Sequence, residues 1–208
     1  MRPPRNPMHS PNTARRLALK TFALTLALGA LAACSPDTLK FKSIDITGAD
    51  YAKGFTLADH NGVQRTLADF KGKVVVVFFG FTQCPDVCPT ALADLAEVKR
   101  LLGPQGDKLQ GLFVSVDPER DTPEVLKAYM TNFDPGFLAL RPTAEQLPEV
   151  AKAFKIFYKK VEGPTPTSYT MEHSAGSYVF DPQGRVRLYT RQAVGAQGLA
   201  EDLALLLK

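Results

Sequence analysis

The run Lys73-Val74-Val75-Val76-Val77-Phe78-Phe79-Gly80 sets six consecutive β-branched or aromatic residues between Gly72 and Gly80. A strand with one wetted face alternates polar and apolar residues, whereas an unbroken run fits a central strand buried on both faces. Such a strand needs a layer on each side, which in a small domain means helices flanking a sheet.

The remainder of residues 51–208 supplies those layers. Phe55–Ala58 and Val63–Leu67 flank the turn signal Asp59-His60-Asn61-Gly62 and predict a hairpin. After the central strand, Ala91, Leu95, Val98 and Leu102 recur at helical spacing and stop at Gly103-Pro104. Leu109–Val116 is a second apolar strand. Thr122-Pro123 has the form of an N-cap and first helical residue, with Val125, Leu126, Tyr129 and Met130 as the buried face. Leu147, Val150, Ala151 and Phe154 form a third stripe, whose start is blurred by Pro148. Ser177–Phe180 and Arg185–Tyr189 flank Asp181-Pro182-Gln183-Gly184 as a second hairpin, and Leu199, Leu203 and Leu206 close the chain as a helix. The order is that of an α/β, thioredoxin-like fold with an added N-terminal β-hairpin, in one domain over 51–208. No internal repeat or low-complexity run interrupts it.

The first fifty residues read differently. Of the 25 basic residues in the 208-residue chain, five (Arg2, Arg5, Arg15, Arg16 and Lys20) precede residue 34, where no acid occurs. The remaining 20 face 21 acids, so the net charge of +4 belongs to the N-terminus and leaves no basic face for nucleic acid. Residues 21–33 are uncharged; as a helix they rise about 20 Å, short of a hydrocarbon core of roughly 30 Å. This suits a signal segment, residues 1–33, better than a stable span. Its end, Leu31-Ala32-Ala33-Cys34, resembles a bacterial lipoprotein signal in which Cys34 is acylated. The alternatives are an uncleaved anchor or a plain signal. In each case the domain is exported, and residues 34–50 form a tether.

An exported chain with three cysteines has no disulfide framework. With Cys34 lipidated, one pair remains, Cys84 and Cys88 in FTQCPDVCPT, directly after the central strand, where open α/β folds place functional loops. Pro89 suits the first position of a helix, which puts Cys88 at the N-cap, where the helix dipole favours thiolate. Proline beside each cysteine and Asp86 between them weigh against an inert pair. The spacing is CxxxC, not the CxxC of thioredoxin-type reductases, and neither cysteine fits the PxxxTxxC of peroxide-reducing relatives. Of three histidines, His9 falls in the signal and His60 in a turn, where it reads as a solvated bystander. His173 lies 85 residues after Cys88, just before a predicted strand that the fold sets beside the central one. Two thiolates and one imidazole make a soft, low-coordinate set that suits Cu(I) and also accepts Cu(II). Zinc would want a fourth ligand, which Asp86 or Glu172 could supply.

In three stretches, FFGFTQCPDVCPT, VSVDPERDTPEVLKAY and EHSAGSYVFDPQG, the chain resembles the Sco/SenC family of copper-binding assembly proteins. The resemblance covers most of 51–208 and implies one copper per domain, held by Cys84, Cys88 and His173. It further implies a membrane anchor and a role in assembling the binuclear copper centre of cytochrome c oxidase subunit II. Its partners would be that subunit, a copper donor protein and, through a lipid on Cys34, the bacterial cell membrane on its extracytoplasmic side. Many members carry Asp before the histidine where this chain has Glu172, and the familiar thioredoxin proline is missing between Glu172 and Ser177. The implied role is that of a metallochaperone rather than an ordinary enzyme. A thiol–disulfide oxidoreductase using Cys84 and Cys88 but not His173 is the competing class, and a copper or redox sensor is a third. The charged stretch Asp117–Pro123 reads as a strand end plus helix cap with its charges solvated, the alternative being a surface for docking a partner.

Overall fold

In the computed structural model, which describes residues 39–165 and 168–208, the chain first forms a short edge strand, β1 (Ile44–Asp45). It lies inside the expected tether and pairs antiparallel with Tyr189 and Leu188 near the far end of the chain. The tether reading gives way there because Asp202, buried in the last helix, accepts the backbone N–H groups of Lys42 and Ser43 at 2.7 and 2.8 Å. The signal segment 1–33 and Cys34 lie outside the described residues.

The predicted first hairpin is present but shorter, β2 (Leu57–Asp59) with β3 (Gln64–Arg65), and Leu67–Phe70 turns as a 3-10 helix. The apolar run forms β4 (Val74–Gly80), every residue of it buried. Helix α1 (Val87–Leu101) returns the chain to β5 (Leu109–Ser115), also buried throughout and parallel to β4. Next come α2 (Pro123–Met130), β6 (Leu138–Arg141), parallel to β5, and α3 (Gln146–Ala153). β7 (Tyr158–Glu162) and β8 (Tyr169–His173) pair only with each other, as a separate two-stranded sheet. β9 (Ser177–Phe180), β10 (Val186–Thr190) and helix α4 (Gly195–Leu206) finish the chain. The main sheet has eight strands in the order β1-β10-β9-β4-β5-β6-β2-β3, with β4 between a parallel and an antiparallel neighbour.

Both faces of β4 are covered, as its composition requires. On one, Phe78 meets Phe113, which in turn stacks on Tyr129 of α2. On the other, Phe79 packs edge-on against Phe154 at the end of α3, with ring centroids 5.1 Å apart. Thr122 caps α2 as predicted, accepting the N–H of Val125, but Val125 itself faces outward at 41% exposure. The buried side of this helix runs through Leu126 and Met130 alone, with Tyr129 half-buried beside them.

The two hairpin turns share one chemistry. In each, a buried aspartate opens the turn and a glycine three positions on takes positive φ, +80° at Gly62 and +77° at Gly184. The Asp59 carboxylate accepts the N–H groups of Asn61 and Val63, and Asp181 those of Gln183 and Arg185. An Arg on the returning strand closes each carboxylate, Arg65 and Arg185 both at 2.9 Å. His60 is not a solvated bystander. Half-buried, it accepts the Ala139 N–H on Nδ1 at 3.1 Å and tacks the first hairpin to β6.

Replacing Asp202 with Ala strands the buried Ser43 N–H and frees that of Lys42 at the rim of the seam, so Asp202→Ala should lower unfolding free energy by about 2 kcal/mol. Chemical denaturation measures the loss. Hydrogen exchange should show Lys42 and Ser43 opening well before the β4 amides.

Candidate metal centre

The loop after β4 carries both cysteines. Cys88 is the second residue of α1, not its N-cap, a position that Asp86 takes without a side-chain bond. The offset arises because Pro89 is tolerated anywhere in a first turn, where backbone N–H groups have no intrahelical partner to lose. The shift redirects the helix terminus. The Cys88 N–H points at Cys84 Sγ, 3.4 Å away, so the sulfur served by the start of the helix is that of Cys84. Cys88 is fully buried, and burial, reinforced by the neighbouring Cys84 thiol, pushes its thiol far above the ordinary range. The thiolate expected from the dipole alone is therefore outweighed by desolvation at Cys88. Both cysteines are free.

His173 comes from the last residue of β8. Its Nδ1 lies 2.9 Å from the Ser174 carbonyl, which can only accept, so the ring proton sits on Nδ1 and Nε2 keeps its lone pair. That nitrogen faces Cys88 Sγ at 3.5 Å. The ring meets Phe78 and Phe81 nearly at right angles, and burial lowers its pKa, keeping the imidazole neutral at neutral pH. The ligand atoms of Cys84, Cys88 and His173 all lie within 4.8 Å of one another. Asp86 and Glu172 are exposed and stand outside this group, leaving three donors where zinc would want four.

The approach of Cys88 depends on Gly80. A Cβ at this position would lie 2.8 Å from Cys88 Sγ, 2.8 Å from Phe113 and 2.9 Å from Phe78. The strand must end in a residue without a side chain so that the thiol can pack on the sheet. Outside the trio, Phe81, Pro85, Val87, Met171 and Ala175 line an open cleft of about 280 Å³. Cys84 is partly exposed, whereas Cys88 is sealed beneath it.

Of the charges in Asp117–Pro123, Glu119 is exposed as expected, but those of Asp117, Arg120 and Asp121 are not solvated. Asp117 is 3% exposed and Asp121 0%, and they join the cysteine loop to the strand bearing the histidine. Asp121 accepts from Thr82, through both its N–H and its hydroxyl, and from Ser115 Oγ at 2.6 Å. Asp117 accepts from Tyr169 OH at 2.9 Å and from Arg120 Nε at 2.5 Å. The local sequence shows a cap but gives no sign of Thr82 and Tyr169, which lie 39 and 52 residues away.

Fold and site together define a class: a thioredoxin-like domain whose cysteine loop and a distal histidine make a soft, three-donor metal group. The SCO1/SenC family profile matches residues 45–208, and the chain belongs to this family. A mitochondrial SCO2 homologue from Bos taurus is 36% identical over 151 residues, 72% of this chain and 57% of the relative, so the chain spans less than two thirds of that protein. Among solved structures, Bradyrhizobium japonicum ScoI with copper bound is 39% identical with a TM-score of 0.68, covering 74% of this chain and 98% of the other. The apo Sco1 protein of Thermus thermophilus is 37% identical with a TM-score of 0.72, covering 82% and 99%. Among the described residues, no helix is long and apolar enough to cross a membrane.

Because the added methyl has nowhere to go, Gly80→Ala should displace Cys88. The expected outcome is a stability loss of about 1–3 kcal/mol. Metal affinity, measured by competition with a chelator, should fall at least tenfold in the folded variant.

Proposed function

We propose that this chain is a copper metallochaperone that binds one copper ion through Cys84, Cys88 and His173. The observation that carries the reading is the convergence of two sulfurs and one proton-free imidazole nitrogen within 4.8 Å. Such a set matches a soft cation of low coordination number, and the Irving–Williams order adds affinity for Cu(II). The Bradyrhizobium relative, solved with copper bound, supports the same metal. Copper here is cargo. Loading removes the Cys88 proton, which desolvation otherwise holds in place, and the Ser174 carbonyl keeps the imidazole turned so that Nε2 faces the sulfurs.

The recipient fitting the family resemblance is subunit II of cytochrome c oxidase, whose binuclear copper centre the protein would help assemble, with copper received from a donor protein. Attachment to the extracytoplasmic side of the bacterial membrane would run through a lipid on Cys34, at the end of the signal segment 1–33, with the domain beyond. Fractionation of a Cys34→Ser variant tests this: the protein should leave the membrane and lose the mass of its acyl chains.

The reduced domain should bind one copper. Removing either thiol should abolish binding. His173→Ala should weaken Cu(II) at least tenfold and Cu(I) far less, because two thiolates hold Cu(I) in linear geometry without it. X-ray absorption with only oxygen and nitrogen neighbours would sink the site.

A second reading, favoured by the free and adjacent thiols, is reduction of a partner's disulfide. Two thiols would then close to one disulfide, giving two electrons and two protons to the partner's sulfurs. The oxidised pair offers no thiolate, so copper loading and disulfide formation should exclude each other. Titrating copper into oxidised and reduced protein checks this; equal, tight binding in both states would overturn it.

A further inference from the structure

We propose that Arg120 is a positioning residue of the metal site, setting the distance between the cysteine loop and His173. The inference rests on the copper reading above and deepens it. The two halves of the site belong to different sheets: the cysteines follow β4 of the main sheet, and His173 ends β8 of the small one. Something must hold the hairpin at a fixed distance from the loop, and Arg120, from a third segment, touches both.

On the hairpin side, the guanidinium lies 3.6 Å from the centre of the Tyr169 ring and donates to the Tyr169 carbonyl at 2.8 Å. Tyr169 is four residues before His173 on β8, so the two project from the same face of the strand. On the loop side, Arg120 donates to Gln83 Oε1 at 3.0 Å, one residue before Cys84, and lies 5.8 Å from the Phe81 ring. The ring of Phe81 in turn meets His173 at 89° with centroids 5.8 Å apart. Arg120 thus touches, through one planar group, the residue before the first cysteine, the ring beside the imidazole and the strand that carries it. Asp117 fixes the plane of the fork through Nε, and its second oxygen takes the Tyr169 hydroxyl.

Lysine cannot substitute here, since an ammonium has no flat face to lay on the Tyr169 ring and no rigid fork to hold Asp117 through one nitrogen while another bonds Gln83 and the Tyr169 carbonyl. Arg120 Nη2 is buried with no hydrogen-bond partner among the described protein groups.

The test compares wild type, Arg120→Lys, Arg120→Gln and the remote core variant Leu203→Ala, each checked for folding by circular dichroism. Cu(I) and Cu(II) affinities are measured by chelator competition, and the Cu(II)–thiolate charge-transfer band by absorption. Both Arg120 variants should lose Cu(II) affinity at least fivefold and shift or weaken the band, while Cu(I) affinity moves less than threefold. Lysine should not rescue. Leu203→Ala should lose stability with its band unchanged. If the Arg120 variants fail to fold, Tyr169→Leu, which leaves the Arg120–Asp117 pair in place, should show the same split. An unaltered band in a folded Arg120 variant, rescue by lysine, equal losses of both copper states, or the same spectral change in Leu203→Ala would each overturn the assignment. A wild type that binds no copper would instead overturn the function proposed above.

Discussion

The antiparallel register of β9 against β4 is the constraint on which the rest depends. Val75 lies opposite Phe180 and Phe78 opposite Ser177, so the end of β4 and the start of β9 share one edge of the sheet. Whatever follows β4 and whatever precedes β9 must therefore emerge side by side. The first is the cysteine loop and the second is His173, which explains how residues 85 apart come within 3.5 Å. The pairing holds because all seven residues of β4 are buried, and a slip by one residue would exchange the faces of Phe78 and Phe79. Gly80 completes the arrangement by leaving the space that Cys88 fills.

Much of this was legible because the relevant signals are local. An unbroken apolar run admits few positions in a sheet, the Asp-x-x-Gly turns prescribe their own hydrogen bonds, and Thr122-Pro123 announces a helix start. The cysteine pair and His173 stood out through residue type and through their places at strand ends. What stayed hidden depends on distant partners. β1 looks like linker because the carboxylate that seats it lies on α4, about 160 residues away. β7 and β8 read weakly because β7 is largely exposed, β8 has only one half-buried face, and both mix charged and aromatic residues. The reading of Cys88 as a dipole-activated thiolate failed for a different reason: local sequence shows the helix terminus but not the depth of burial.

Asp117 and Asp121 show the same limit in sharper form. In sequence they are two acids in a charged loop; in the fold they are among the least exposed groups of the domain, and each is neutralised or bonded from a separate element. Charge in a sequence predicts solvent contact only where the chain supplies no partner. Here Thr82, Ser115, Arg120 and Tyr169 supply four, and a segment that reads as surface becomes the joint between two sheets.

The unequal burial of the two cysteines gives the pair a front and a back. Exchange at sulfur requires an incoming nucleophile to approach in line with the bond it breaks, and only Cys84 leaves room for that along the cleft. Any molecule arriving from solvent meets Cys84 first, while Cys88 is reachable only from within, past Gly80 and the imidazole. Under the transfer and exchange chemistry proposed above, traffic would therefore be ordered: the outer sulfur would make the bond to a visitor, and the inner one would break it.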